Sequence, residues 1–183
     1  LDQLMQQGSE EEWDAFDLSY AQERLWFIDQ FSPQDSTYNM VAAVHLQGKL
    51  RVELLERAIN KIIERHESLR TNFSTIDDEP VQEINPYQTL RIEISFLNTI
   101  KKENRWQAML KKVNEEIQHG FDLENDSLFR LKLFCLNRKS HVLIINMHHI
   151  ISDGWSINVF VKELALCYTA YINEQEPVLE ELS

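Results

Sequence analysis

The chain has 183 residues, 43% of them hydrophobic, with 30 acidic against 18 basic side chains and a formal charge of −12. That is enough for one well-cored domain, or one lobe of something larger, and too apolar for a disordered segment. The acidic excess repels phosphate backbones and argues against a nucleic-acid partner. No apolar run approaches the roughly 18 residues of a spanning helix, which argues against a membrane one.

In chain order, residues 1–16 are acidic and irregular around Gly8 to Glu12 and read as an interdomain linker. Ser19 predicts the N-cap of a helix that includes Ala21 to Ile28, with Pro33 breaking the pattern beyond. Its Trp26 and other aromatics, at helical spacing, are expected in the core. Residues 38–47 predict a strand that Gly48 turns. Leu54, Leu55, Ala58, Ile59, Ile62 and Ile63 form one broad face of a helix over 52–66. Short strands follow at 71–74, 81–84 and 91–96, the first two joined by the Asp77-Asp78-Glu79 turn. A second amphipathic helix over 102–118 carries Trp106, Leu110, Val113 and Ile117. Residues 129–136 and 141–147 predict a hairpin around Asn137 to Ser140, and Ser156 is placed to cap a last helix to about Asn173. The pattern is a mixed α/β sandwich, helices against a largely antiparallel sheet. Cys135 falls in a strand and Cys167 in a helix, without metal or redox spacing; both read as buried free thiols of a reducing, cytoplasmic compartment.

The run Met147 to Ser156 places His148, His149, Asp153 and Gly154 within seven residues, directly after the apolar strand. Histidine is the side chain whose ordinary pKa, about 6.5, suits proton transfer near neutrality. Neighbours on a strand point to opposite faces, so one imidazole can face a cleft while the other packs behind it. A structural pair is the competing reading. Metal binding is a third, since His149 and Asp153 are four apart. That spacing serves a metal chiefly on a continuous helix, which Gly154 interrupts, and no third ligand is evident nearby.

Three separated segments resemble, in order, the core motifs of nonribosomal peptide synthetase condensation domains. Leu18 to Phe27 is similar to the first, Arg65 to Phe73 to the second, and Met147 to Ser156 to the third, the HHxxxDG signature. Phe121-Asp122-Leu123 ahead of Phe129-Arg130 fits the same pattern. The resemblance covers residues 17–176 and implies a chloramphenicol acetyltransferase-like two-layer sandwich, the N-terminal lobe of a two-lobed domain. Residues 177–183 would then begin the connection to a C-terminal lobe. That lobe's absence should leave an apolar face uncovered.

The wording of the first motif, with Tyr38-Asn39-Met40 after it, resembles domains that accept an L-configured donor. The reaction implied joins a carrier-tethered aminoacyl or peptidyl thioester to the amine of a carrier-tethered acceptor. The partners implied are upstream and downstream carrier domains, the C-terminal lobe and an adenylation domain. Substrates would arrive on phosphopantetheine arms, with no directly bound cofactor or metal. His149 is then the catalytic imidazole, with His148, Asp153, Gly154 and Arg65 supporting its loop. Arg65 is expected to pair with Asp153, and Trp155 to pack in the core. Gly154 would leave room for a pantetheine arm or supply a positive φ. Two alternatives stand beside this reading: an HxxxD acyltransferase using soluble acyl-CoA, and a non-catalytic docking platform for carrier proteins.

Overall fold

The computed structural model describes residues 15–182. Residues 1–14, most of the expected linker, lie outside that range. Ala15 and Phe16, assigned to the linker by sequence, instead begin a short strand, β1 (Ala15–Asp17). The order continues with α1 (Tyr20–Phe31), β2 (Asn39–Gln47), α2 (Val52–Arg65), β3 (Thr71–Ile76), β4 (Glu79–Ile84), β5 (Glu93–Phe96), α3 (Arg105–Gln118), β6 (Phe129–Asn137), β7 (Ser140–His148) and α4 (Gly154–Ile172).

The strands form two sheets: a small one ordered β1-β4-β3, and a four-stranded one ordered β2-β7-β6-β5. Pairing is antiparallel except for β5 beside β6, which is parallel because α3 crosses over between them. Strand alternation divides the apolar side chains of the larger sheet between two cores. Leu143, Ile145 and Met147 of β7 join Leu131 and Leu133 of β6 in the main core, with α2 and α4. Val142, Ile144 and Phe134 face the other way, onto Met109 and Val113 of α3.

Helix α2 follows from its pattern. Leu55, Ala58, Ile59, Ile62 and Ile63 are all buried, and each large one contributes roughly 1.5–3 kcal/mol by leaving water. The other two early helices depart from expectation. On α3 the buried residues are Met109 and Glu116, whereas Trp106 and Leu110 are exposed. On α1 the Ser19 cap is as expected, completed by Gln22 as a capping box. Its aromatics mostly are not core: Leu25 and Trp26 pack partly against it, while Tyr20, Phe27 and Phe31 are exposed. An amphipathic pattern identifies the apolar stripe of a helix, not which side of the protein that stripe meets.

Beyond α4 the chain runs back along α2 and α4. Arg57 pairs with Glu176 at 2.6 Å, Leu179 packs on the main core, and Arg65 donates to the Glu180 carbonyl. Cys135 and Cys167 are both free and buried. Among the described residues no helix is long and apolar enough to cross a membrane.

Candidate active site

The two histidines sit where β7 ends and the chain turns toward α4. The β2–β7 pairing continues past the strand, for the His149 N–H donates to the Tyr38 carbonyl at 2.9 Å. On the other side the His148 N–H donates to the Leu128 carbonyl at 3.0 Å. The dihistidine backbone is thus held from both flanks.

The side chains diverge, as alternation requires. His148 is buried (3% exposed), its ring flanked by Tyr38 and Phe121 at centroid distances of 6.3 and 6.1 Å. Its Nδ1 accepts the Ile150 N–H at 3.2 Å, which leaves the ring proton of the neutral form on Nε2. Burial pushes this imidazole down to about 4, with the neighbouring His149 adding to the effect, so His148 is neutral at physiological pH. It supports the turn and cannot easily carry charge.

His149 is exposed, and its Nδ1 lies 2.8 Å from the Ser152 carbonyl. A carbonyl can only accept, so Nδ1 carries the proton, and in the neutral ring the lone pair is on Nε2. Main chain, not a carboxylate, fixes this tautomer. Ser152 also closes the turn by donating its hydroxyl to the His148 carbonyl at 3.2 Å.

Asp153 does not pair with Arg65. Its carboxylate caps α4, accepting the Ser156 N–H at 2.8 Å and the Ser156 hydroxyl at 2.7 Å; these bonds hold its pKa below the ordinary carboxylate value. Ser156, expected as the N-cap, is the third helical residue of that capping box. Arg65 turns to α4 instead, with Nε 3.3 Å from Glu163, whose other oxygen lies 2.7 Å from His66 Nε2. Glu163 is 8% exposed, a carboxylate shared by the two residues that end α2. Sequence reading missed it, although a lone acid within the apolar stretch Val159 to Cys167 is the signal to look for.

Trp155 is 77% exposed, not core. It borders a cavity of about 240 Å³ that His66, Leu69, Met147, Ile151 and Phe160 also line, beside the histidine turn. Gly154 has no positive φ, and a Cβ there would meet nothing within 4 Å. Gly154 therefore does not serve the turn by a positive φ, and its smallness answers to no neighbour among the described residues. Among the described residues, no group of three His, Cys, Asp or Glu side chains is placed to hold a metal ion.

An exposed imidazole whose Nε2 has no partner among the described residues, at the mouth of a turn braced by a buried neutral partner, is equipped to accept a proton or a hydrogen bond from a substrate. Comparisons with known proteins agree on a family. The chain is 41% identical over 165 residues to a linear gramicidin synthase of Brevibacillus parabrevis, covering 90% of this chain and 2% of that protein. It is 36% identical over 168 residues to chondramide synthase of Chondromyces crocatus, covering 92% and 4%. The chain therefore spans a few per cent of the length of these relatives.

Among solved structures, the starter condensation domain of rhizomide synthetase superposes with a TM-score of 0.86 at 21% identity, covering 93% of this chain and 41% of that one. The first condensation domain of the calcium-dependent antibiotic synthetase, in complex with a substrate analogue, gives 0.83 at 22%, covering 92% and 40%. The fold is that of one lobe of such two-lobed domains, the chloramphenicol acetyltransferase-like sandwich. The profile of the condensation domain matches residues 13–183, and the chain belongs to that family.

Proposed function

We propose that this chain is the N-terminal lobe of a peptide-bond-forming condensation domain, with residues 17–176 as the lobe and 177–183 opening the connection to its second half. The observation that carries the reading is the His149 tautomer, with Nδ1–H engaged by the Ser152 carbonyl and Nε2 without a partner among the described residues, on an exposed ring. In the reaction, the α-amine of a carrier-tethered acceptor attacks the thioester carbonyl of a carrier-tethered donor. The C–N bond forms, the C–S bond breaks, and the nitrogen's surplus proton ends on the departing thiol. A thioester is already activated, so orientation supplies much of the rate and His149 handles the proton or steadies the attacking nitrogen.

The donor is an L-configured residue, as the first motif's wording suggests. Both reactants come on the phosphopantetheine arms of carrier domains, and an adenylation domain of the same synthetase loads the acceptor. Gly154, with open space where a Cβ would stand, suits close passage of such an arm. The free buried thiols fit a cytoplasmic setting.

The test is dipeptide formation from a carrier-bound L-aminoacyl donor and a carrier-bound acceptor, with the C-terminal lobe restored. The expected outcome is product that falls on the order of 10²-fold or more in His149→Ala, the range of a lost general acid–base group. Product insensitive to His149, or formed only from a soluble acyl-CoA, overturns the reading in favour of a docking lobe or a CoA-dependent acyltransferase respectively.

A further inference from the structure

The loop that packs against His148 and leads to its main-chain acceptor at Leu128 is fastened by a single guanidinium. Arg130, on β6, donates through Nη1 to the His119 carbonyl at 3.1 Å and through Nη2 to the Gly120 carbonyl at 2.9 Å and to Asp126 at 2.7 Å. Its Cζ stands 3.9 Å from the centroid of the Phe121 ring. One planar fork thus fastens both ends of the 119–126 loop and stacks on the aromatic between them.

That loop reaches the histidines by three routes. Phe121, 1% exposed, meets the His148 ring edge-on at an interplanar angle of 77°. Leu128, two residues beyond Asp126, supplies the carbonyl that binds the His148 N–H. Gly120 presses on the backbone of Gln34, where a Cβ would fall 1.8 Å from the Gln34 oxygen. Gln34 leads directly into the turn ending at Tyr38, whose carbonyl binds the His149 N–H.

We propose that Arg130 is a positioning residue for His149. Resting on the function proposed above, it acts by fixing the 119–128 segment, which braces His148 directly and the Tyr38 acceptor through Gly120. Arg130 itself is a neighbour of the imidazole's supports and contacts no reacting atom. Lysine would keep the charge and lose the fork, since a compact ammonium cannot reach two carbonyls and a carboxylate while lying flat on Phe121.

The experiment uses the complete two-lobed domain with carrier-bound donor and acceptor. Arg130→Lys and Phe121→Leu are each made in the native and the His149→Ala backgrounds. A displacement of about 1 Å at a reacting group can cost on the order of 10²-fold, so each single variant is expected to lower kcat by about 10- to 100-fold, with KM unchanged. In the His149→Ala background neither should cause further loss, because both act through the same imidazole. Losses that multiply in that background overturn the inference, as do single variants with native kcat. Phe121→Leu carries the test if Arg130→Lys does not fold. Loss of product in His149→Ala alongside native rates in both other variants sinks this inference alone. Product insensitive to His149 removes the underlying function with it.

Discussion

On the side of the four-stranded sheet that α2 and α4 cover, Leu131, Leu133, Leu143 and Ile145 form an apolar layer from end to end. On the side that α3 covers, the layer changes character along its length. Val142, Ile144 and Phe134 pack on Met109 at one end, and Asn146, Arg130, Lys132 and Glu116 replace them toward the histidines. Burial alone would raise the Glu116 carboxyl, but Lys132 at 2.8 Å, Asn146 and Arg130 together hold it below its ordinary value, so a charged cluster sits toward the histidine end of this face. One face is built for stability. The other trades apolar contact for groups that hold loops and a buried imidazole in place.

The sharpest way to separate the two faces is to damage the apolar one alone. Leu143 is fully buried in the main core. Leu143→Ala should cost about 3–5 kcal/mol by lost transfer and cavity formation, with little dependence on pH. Urea unfolding at several pH values measures it. A loss under about 1 kcal/mol would mean that the α2–α4 side collapses around the gap and is looser than its burial implies.

Damage at the polar end should instead change the pH dependence. The His148 imidazole is pushed down to about 4 in the folded chain, against an ordinary value near 6.5 when unfolded. Between those values the unfolded chain binds the extra proton. The stability gained from keeping His148 neutral is therefore whole above about pH 6.5 and declines as the pH falls toward 4, by up to about 3 kcal/mol. His148→Asn keeps an acceptor for the Ile150 N–H and removes the titration. Its stability should vary less with pH than the native chain's over that window. Parallel curves for the two proteins would place the acid sensitivity elsewhere.

The same contrast explains what the amino-acid sequence made legible. Periodic apolar positions located α2, because burial against one side leaves a regular trace, and strongly apolar runs located β6 and β7, which are buried on both faces. Trp106, Leu110, Phe27 and Trp155 are exposed against expectation, since an apolar side chain does not by itself show that the rest of the chain covers it. The motif run located His148 and His149, but their supports are largely main chain: the carbonyls of Tyr38, Leu128 and Ser152 bear no residue signature. Arg130 and Glu163 stand as charges within otherwise apolar runs, beside Lys132 and Lys162, and sequence reading assigned neither a role. Their partners depended on a fold that brings residues 119–126 beside β6 and α2 beside α4.

The junction of the two faces, where β7 gives way to α4, yields the smallest effect and the most discriminating one. Sequence reasoning paired Asp153 with Arg65, whereas the structure gives Asp153 to the α4 N-terminus and Arg65 to Glu163. The two arrangements respond differently to serine, which caps a helix but carries no charge. If Asp153 acts as a cap, Asp153→Ala should cost about 1 kcal/mol of stability and Asp153→Ser should recover most of it. Were the carboxylate needed for an ion pair with Arg65, serine would be no better than alanine. Melting temperatures of the three proteins distinguish the cases. The cap also fixes where α4 begins, and with it the Ser152 carbonyl that holds the His149 Nδ1–H, one residue before the cap. In the two-lobed domain of the proposed function, Asp153→Ala should therefore lose rate beyond what its small stability loss explains, and Asp153→Ser should restore both together.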